Sequence, residues 1–370
     1  MLIALNLLYL IPGVVGGTET YATSLIHALA RTDGDNDYVV FVNQGAADLD
    51  ITPSDNFRRV VCPFIALRRI VRYSWEQAVL PFQLRREAPD LVHSLGYVAP
   101  LAARGPHVVT VHDLNYLGHR GRRTAAGRRA FRFFVEQTVR RADHIITISN
   151  FSRGEIIRNL SVDDSKVTVI HEAGHEEYGT GSATTSAQSI HSPLPTPYVM
   201  AFSSLSAHKN IARLIAAFGM ISHRVPHSLV LVGHLPENPV VRAEIEKAGS
   251  DRVRFTGYLP DDEVQSLLQQ SSLFAFPSLY EGFGIPILDA QHAGVPVACS
   301  DVASLPEVAG EGARLFDPLS IESIADALSA CLLDMDLREQ LVSKGCENAA
   351  RFSWDKVARE TLAVYAATAS

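Results

Sequence analysis

Short apolar runs alternate with helical patterns along most of this chain. Six runs in its first half have the length and β-branched content of strands: LIALNLL, DYVVFVN, LVHSLG, HVVTVHD, HIITIS and KVTVIH. Between them, segments such as ETYATSLIHALART repeat apolar residues at the spacing of a helix. Strands that are apolar on both faces and alternate with helices are typical of a parallel sheet covered on both sides. The pattern therefore predicts a doubly wound α/β fold.

The same alternation resumes after a polar interruption. Residues 179–197 are rich in Ser, Thr and Pro without periodicity, and the runs after them predict a second parallel sheet: YVMAFSS, SLVLVGH, RVRFTGY, LFAFPS and PVACS. We therefore expect a first domain over 1–178, a linker over 179–197, a second domain over 198–352, and a C-terminal helix over 353–370 that packs back on the first domain. Two such domains facing a cleft would bind ligands at the carboxyl ends of their strands.

Composition and cysteine content narrow the class of protein. With 47% hydrophobic and 20% charged residues among 370, the chain has the composition of a soluble globular protein, and no apolar run reaches the roughly 20 residues of a membrane span. Its apolar start lacks the basic region and cleavage site of a signal peptide. Four widely spaced cysteines without a C-x-x-C pair favour a reducing compartment, so we expect a cytoplasmic protein.

Charge is distributed unevenly between the two halves. Residues 1–175 carry 20 Lys and Arg against 17 Asp and Glu, whereas 176–370 carry 13 against 23. A stretch at 120–132 interleaves arginine with phenylalanine, which predicts contact with a phosphorylated acceptor or with an anionic membrane at its inner face. The alternative is a solvated helix whose aromatic side chains lie in the core. The residues expected to make the contact are Arg122, Arg123, Arg128 and Arg129.

The strongest candidate site lies at 273–300, where an apolar strand leads through a glycine loop into a helix. Gly282 and Gly284 allow backbone amides to approach a ligand closely, and the amino end of the helix favours an anion. Glu281 and Asp289 offer carboxylates to hydroxyl groups. An anion cradle between two such carboxylates suits a sugar nucleotide. The alternative is a helix start whose acidic residues merely complement the helix dipole.

The segment EGFGIPILDAQHAGVPVACSDVASLPEVAGEGARLFDP resembles the donor-binding signature of the retaining glycosyltransferases of family four. Other motifs of that family have counterparts in the same order: GVVGGTETYATSL, VTVHDL, HIITISNFSR and SSLSAHKNIARLIAAF. The resemblance implies the GT-B architecture, with two Rossmann-like domains facing a cleft. It also implies transfer of a hexose from a nucleotide-diphosphate sugar of the GDP-mannose or UDP-glucose type to a saccharide or lipid-linked acceptor. The resemblance implies no cofactor and no nucleic-acid partner.

The resemblance assigns roles to residues of the second domain. Glu281 would bind hydroxyls of the donor sugar, Asp289 the ribose diol, and Lys209 the diphosphate. Backbone amides of the glycine loop would contact the sugar or the diphosphate. That loop contains Gly282, Phe283 and Gly284.

Three residues of the first domain also have counterparts in the family. Gly16 and Gly17 would approach the diphosphate, and His112 would lie near the C6 end of the sugar. The residues that the resemblance assigns to catalysis are Glu281, His112 and Lys209.

Two positions depart from the family pattern. Asp289 replaces a glutamate, so its reach toward a ribose is shorter by one methylene. Ser204 replaces an arginine that often contacts phosphate. The charge of the departing diphosphate would therefore be stabilised mainly by Lys209, unless His208 or Arg213 contributes.

Motifs that suggest a metal do not have the required context. HEAGH at 171–175 matches the H-E-x-x-H pattern of zinc proteases, but it follows a strand, contains Gly174 and has no helical surroundings. The Asp-x-Asp pairs at 33–37, 48–50 and 334–336 do not follow a buried strand. We therefore expect transfer without a metal, in which helix dipoles and Lys209 stabilise the departing diphosphate.

Other functions remain as alternatives. A dehydrogenase is disfavoured because GVVGGTE does not match G-x-G-x-x-G and the second strand ends in Asn43 rather than an acid. A nucleotide-sugar epimerase or phosphorylase of the same architecture stays open. So does a non-catalytic subunit that binds sugar nucleotides, which the departures at Ser204 and Asp289 would suit.

Overall fold

The fold is given by a computed structural model that describes residues 1–14, 16–118, 125–175, 196–235, 238–249 and 251–370. Arg122, Arg123 and most of the predicted linker lie outside these ranges. The chain forms two compact units. The first comprises Met1–Glu172 and Ser353–Ser370, and the second comprises Ala173–Phe352.

The described part of the first unit contains a seven-stranded parallel sheet flanked by helices. Its strands are β1 (Leu2–Asn6), β2 (Asp37–Asn43), β3 (Phe57–Cys62), β4 (Leu91–Ser94), β5 (His107–Thr110), β6 (His144–Thr147) and β7 (Val167–Val169). Its helices are α1 (Gly17–Thr32), α2 (Arg69–Ala78), α3 (Leu80–Glu87), α4 (Asn115–Gly118), α5 (Ala125–Arg141), α6 (Asn150–Leu160) and the C-terminal α14 (Trp354–Ala369). The strand order is β3-β2-β1-β4-β5-β6-β7.

A six-stranded parallel sheet forms the centre of the second unit in its described residues. Its strands are β8 (Tyr198–Ser203), β9 (Ser228–Gly233), β10 (Val253–Gly257), β11 (Leu273–Phe276), β12 (Val297–Ser300) and β13 (Ala313–Phe316). Its helices are α7 (Ile211–Ile221), α8 (Pro239–Ala248), α9 (Asp261–Gln270), α10 (Ile285–His292), α11 (Leu305–Ala309), α12 (Ile321–Leu333) and α13 (Met335–Ala349). The strand order is β10-β9-β8-β11-β12-β13.

The predicted fold class is confirmed, because both units are doubly wound parallel sheets. All eleven predicted strands are present, and two further strands, β3 and β13, were missed. Both lie at an outer edge of their sheet and are partly exposed along their length. An edge strand carries polar residues and lacks the continuous apolar run of a central strand. Arg58 and Arg59 in β3 are an example.

The C-terminal helix α14 packs within the first unit. Trp354 and Tyr365 are buried, and the ring of Trp354 lies 6.1 Å from that of Tyr21 on α1. The Tyr365 hydroxyl lies 2.6 Å from Nδ1 of His93 on β4, and Arg31 forms a 2.7 Å ion pair with Asp355. No helix in the described ranges combines the length and apolarity that crossing a membrane requires.

The strand order of each sheet reverses at one point, which is where doubly wound sheets place their ligands. In the first unit the reversal lies between β1 and β4, and in the second it lies between β8 and β11. The chain leaves β8 toward Lys209 and leaves β11 toward Glu281. The two predicted donor residues therefore follow the two strands that flank the switch point of the second sheet.

Candidate functional site

Lys209 and Glu281 come together in the second unit. The Lys209 ammonium lies 2.7 Å from Oε1 of Glu281. Their side chains are 23% and 17% exposed, so the pair is shielded but can be reached from solvent. Lys209 Nζ also lies 5.3 Å from the centre of the Phe276 ring, a distance at which a cation is attracted to the ring face.

Backbone geometry fastens the turn that carries Lys209 to the loop that carries Glu281. Asn210 adopts a left-handed conformation, with φ of 58°, which asparagine tolerates better than most residues. Its side-chain amide donates to the carbonyl oxygen of Pro277 at 3.1 Å and to that of Pro318 at 2.8 Å. The backbone N–H of Leu279 donates to the carbonyl of His208 at 2.7 Å. These bonds hold the two loops in register.

The glycine loop before α10 has a conformation that requires glycine. Gly284 has φ of 122°, and a Cβ at this position would lie 2.9 Å from Cδ2 of Leu305. The Ser304 hydroxyl lies within hydrogen-bond distance of the carbonyl oxygens of Glu281 and Phe283, at 3.0 and 2.7 Å. Gly284 is the residue before α10, and no side chain in the described part of the chain caps the helix there. The first backbone N–H groups of α10 therefore form an amino end that can bind an anion.

Asp289 is engaged by a residue that the sequence did not connect with it. The carboxylate is buried, and it accepts from the backbone N–H of His175 at 2.8 Å and lies 3.0 Å from Nδ1 of the same histidine. Gly174 makes this approach possible, because a Cβ there would lie 2.9 Å from Oδ1 of Asp289. A carboxylate has about four lone-pair positions, so Asp289 still has capacity to accept from a hydroxyl.

His112 lies buried in the first unit, in the segment that follows β5. Its Nε2 is 3.0 Å from the carbonyl oxygen of Leu95. A carbonyl can only accept, so Nε2 carries a proton. Its Nδ1 faces Oε1 of Glu172 at 3.5 Å, and the Tyr21 ring packs edge-on at 4.8 Å. Both ring nitrogens therefore face groups of the first unit.

Glu172 is a functional candidate that the sequence reasoning missed. Its carboxyl is buried, and this burial raises its pKa, an effect that the neighbouring His112 opposes. Glu172 and His175 are both members of the HEAGH segment, residues 171–175, which is not helical. The motif marked these residues as functional candidates, but its pattern suggested only a zinc site. The structure shows instead that its Glu faces His112 and its second His binds Asp289.

Gly16 and Gly17 begin α1 of the first unit. Gly16 has φ of 58°, and Gly17 is the first residue of the helix. A Cβ would meet no atom within 4 Å at either position, so packing does not require glycine there. The positive φ of Gly16 does favour it. Both residues are exposed at the amino end of a helix, as an approach to an anion would require.

The predicted arginine contact is only partly within the described residues. Arg128 is half-buried and Arg129 is exposed on α5. Arg132 forms a 2.6 Å ion pair with Glu136, which neutralises its charge. Phe131 is buried in the core of the first unit, whereas Phe133 is 54% exposed.

Two family profiles match the chain in succession and together cover most of its length. "Glycosyltransferase Family 4" matches residues 15–173. "Glycosyl transferases group 1" matches residues 183–347.

Relatives of known function are similar to the chain over much of its length. O-antigen chain mannosyltransferase B of Escherichia coli is 30% identical over 237 residues, which are 62% of this chain and 62% of that protein. Serotype-specific mannosyltransferase WbdA of Escherichia coli is 29% identical over 368 residues, which are 92% of this chain and 44% of that protein. The chain therefore spans less than two thirds of the length of either relative.

Solved structures share the fold at low sequence identity. Sucrose-phosphate synthase of Thermosynechococcus elongatus has a TM-score of 0.78 and 20% identity, covering 99% of this chain and 98% of that one. Anabaena HepE in complex with UDP and glucose has a TM-score of 0.74 and 20% identity, covering 99% and 100%.

The two parallel sheets and these structural neighbours define the class of protein: the chain has the GT-B fold of glycosyltransferases. Two glycosyltransferase family profiles match it in succession, and the two relatives above are named mannosyltransferases. These findings together support a glycosyltransferase of the family-four type, as the resemblance in its sequence motifs predicted.

Proposed function

We propose that this chain is a retaining glycosyltransferase that moves a hexose from a nucleotide-diphosphate sugar to a hydroxyl of a saccharide or lipid-linked acceptor, without a metal ion. The observation that carries the proposal is the pairing of Lys209 with Glu281 beside the amino end of α10. In a nucleotide sugar, the anomeric carbon is bonded to the diphosphate through a single oxygen. A cation and a hydroxyl-accepting carboxylate must therefore lie side by side to bind both parts.

The proposed mechanism gives each group one task. Lys209 and the first amides of α10 stabilise the negative charge that builds on the departing diphosphate. Glu281 accepts hydrogen bonds from sugar hydroxyls and so orients the anomeric carbon. The bond from this carbon to the phosphate oxygen breaks while the bond to the acceptor oxygen forms on the same face, which retains the configuration. An oxygen of the leaving phosphate takes the proton of the acceptor hydroxyl.

The relatives support the proposed donor and acceptor classes. Both E. coli relatives are named as mannosyltransferases, which favours a donor of the GDP-mannose type. HepE has the same fold and was solved with UDP and glucose, so UDP-glucose is the second donor to test. The name of the first relative refers to an O-antigen chain, which supports a saccharide acceptor. We propose a cytoplasmic location with peripheral contact at the inner face of a membrane.

A donor screen followed by product analysis tests this function. One nucleotide sugar should raise the melting temperature, because it binds only the folded chain. With a saccharide acceptor, that donor should yield a glycoside whose anomeric configuration is retained. A chelator should leave the rate essentially unchanged, and so should His171→Ala in the HEAGH segment.

Other products would contradict the proposal in distinct ways. An isomerised donor indicates an epimerase, a released sugar phosphate indicates a phosphorylase, and binding without any product indicates a non-catalytic subunit. A rate that a chelator abolishes and a divalent ion restores would overturn the metal-free mechanism.

Replacing Glu172 with Gln should flatten the dependence of stability on pH. Burial raises the pKa of Glu172 despite the opposing effect of His112. A carboxyl with a raised pKa stabilises the fold fully below its unfolded value, about 4.3, and this contribution is lost as pH rises through the folded value. The melting temperature of the wild type should therefore fall more steeply above about pH 4.3 than that of the variant. Identical slopes would contradict the raised pKa, and the exposed Glu339→Gln serves as the control.

A further inference from the structure

Six large apolar side chains are exposed on one segment of the first unit. They lie on β3, on the loop before α2, and on α2 and α3, and their exposed fractions range from 39% to 82%: Val61, Ile65, Leu67, Ile70, Val71 and Phe82. Four exposed arginines are interspersed with them: Arg68, Arg69, Arg85 and Arg86. These ten residues form what we call the α2–α3 surface. Single exposed apolar residues are ordinary, but five within eleven positions are a local concentration of the kind found at interaction sites.

The core of the unit does not use these side chains. In the loop before α2, Phe64 and Ala66 are buried, whereas Ile65 and Leu67 between and beside them are exposed. In α2, Tyr73 and Glu76 are buried, whereas Ile70 at the start of the helix is 82% exposed. The segment therefore buries a separate set of side chains and leaves these apolar ones exposed.

The segment is also strongly basic. Residues 62–86 contain five arginines and one acid, Glu76, with no lysine or aspartate. Glu76 is buried beside Arg72 at 3.4 Å, so this acid does not offset the charge of the exposed arginines. The next acid, Glu87, is paired with Arg58. The Arg85 guanidinium lies 5.6 Å from the Phe82 ring, so a cation and an exposed aromatic stand together at α3.

We infer that the α2–α3 surface binds an anionic lipid surface. Exposed aliphatic side chains next to arginines have the composition of an interfacial segment, in which the apolar groups enter the headgroup region and the cations meet phosphates. Charge complementarity selects this occupant over a second copy of the chain. A symmetric contact would place the same four arginines of two copies against each other. The inference rests on the membrane contact of the proposed function and assigns it to this surface, but its test does not require the chain to be an enzyme.

The described part of the arginine contact predicted on α5 combines fewer exposed cations with fewer exposed apolar side chains than the α2–α3 surface. Arg132 is already paired with Glu136, and Phe131 lies in the core. Phe133 is an exposed aromatic near Arg129, without the run of aliphatic residues found on the α2–α3 surface. The two surfaces are therefore compared directly in one experiment.

The experiment is co-sedimentation of the full chain with vesicles of phosphatidylglycerol and phosphatidylcholine, or of phosphatidylcholine alone, at low and high salt. The wild type should bind only the anionic vesicles, and less at high salt. Arg68→Gln/Arg69→Gln should weaken binding about 30-fold, or roughly fivefold per arginine. Leu67→Ser/Ile70→Ser should also weaken it. The matched control is Leu319→Ser/Met335→Ser, at similarly exposed positions of the second unit, which should bind like the wild type.

Several results would overturn the inference. Absence of binding to anionic vesicles at low salt excludes a lipid contact. Equal binding to both kinds of vesicle excludes the role of charge. A loss confined to Arg128→Gln/Arg129→Gln moves the contact to α5. Self-association of the wild type that Leu67→Ser/Ile70→Ser abolishes assigns the surface to a second copy. All variants change exposed or half-buried side chains, and unchanged melting temperatures will confirm that they fold.

Discussion

Replacing Glu281 with Gln should lower turnover about 100-fold or more while leaving the affinity for a free nucleoside diphosphate nearly unchanged. The amide keeps the size of the side chain but removes the charged acceptor, and hydrogen bonds to charged groups contribute roughly 1.5–3 kcal/mol. The lost interaction is with the sugar, which a free nucleoside diphosphate does not contain. Steady-state kinetics with the donor identified by the screen, together with calorimetric titration of the nucleoside diphosphate, measure both quantities.

The control for this variant is a second Glu–Lys pair on the surface of the same unit. Glu311 lies 2.8 Å from Lys344, and its side chain is 83% exposed. Glu311→Gln should therefore leave turnover unchanged. Turnover of Glu281→Gln near that of the wild type would remove Glu281 from the reacting centre, whatever the effect on binding.

The central part of each sheet was predictable because its strands are buried on both faces. Such strands read as continuous apolar runs, and the nine strands inside the two sheets were located from this pattern. Of the four edge strands, β7 and β10 were also located, whereas β3 and β13 were missed. The two missed strands are partly exposed, and arginines interrupt their apolar runs.

The candidate site was predictable only as a set of separate loops. Lys209 and Glu281 are 72 positions apart, and their contact depends on β8 and β11 being neighbours in the sheet. Local patterns do not specify which strands are adjacent. The resemblance to a family linked the two residues to one ligand, but it did not indicate that they bind each other.

The contacts of the HEAGH segment could not be predicted for the same reason. The partner of His175 lies 114 positions away on α10, and the partner of Glu172 follows β5. The H-E-x-x-H pattern points only to a helical zinc site and carries no information about partners that are distant in sequence. A buried glutamate directly after the last strand of a sheet was itself a reason to look for a cationic or hydrogen-bonding partner.

Lys209→Ala should weaken the binding of a nucleoside diphosphate by about 10- to 150-fold, and that of the nucleoside far less. The range corresponds to a charged hydrogen bond of roughly 1.5–3 kcal/mol. A loss of affinity in the upper part of this range is expected for two reasons. Ser204 supplies no second cation, and removing Lys209 leaves the Glu281 carboxylate without its 2.7 Å partner beside an anionic ligand. Calorimetric titration of both ligands measures the difference, with the surface variant Lys344→Ala as the control.

The ion pair predicts that the two substitutions are not additive. Lys209→Ala/Glu281→Gln should bind the nucleoside diphosphate more tightly than Lys209→Ala, because the double variant no longer places an unpaired carboxylate near the phosphates. Groups in direct contact show coupling of about 0.5–3 kcal/mol in such a cycle. The double variant should nevertheless remain inactive in transfer, because the acceptor for the sugar hydroxyls is also gone. An affinity equal to or below that of Lys209→Ala would show that Glu281 does not act on the phosphate subsite. Equal losses for nucleoside and nucleoside diphosphate would show that Lys209 supports only the fold of its turn.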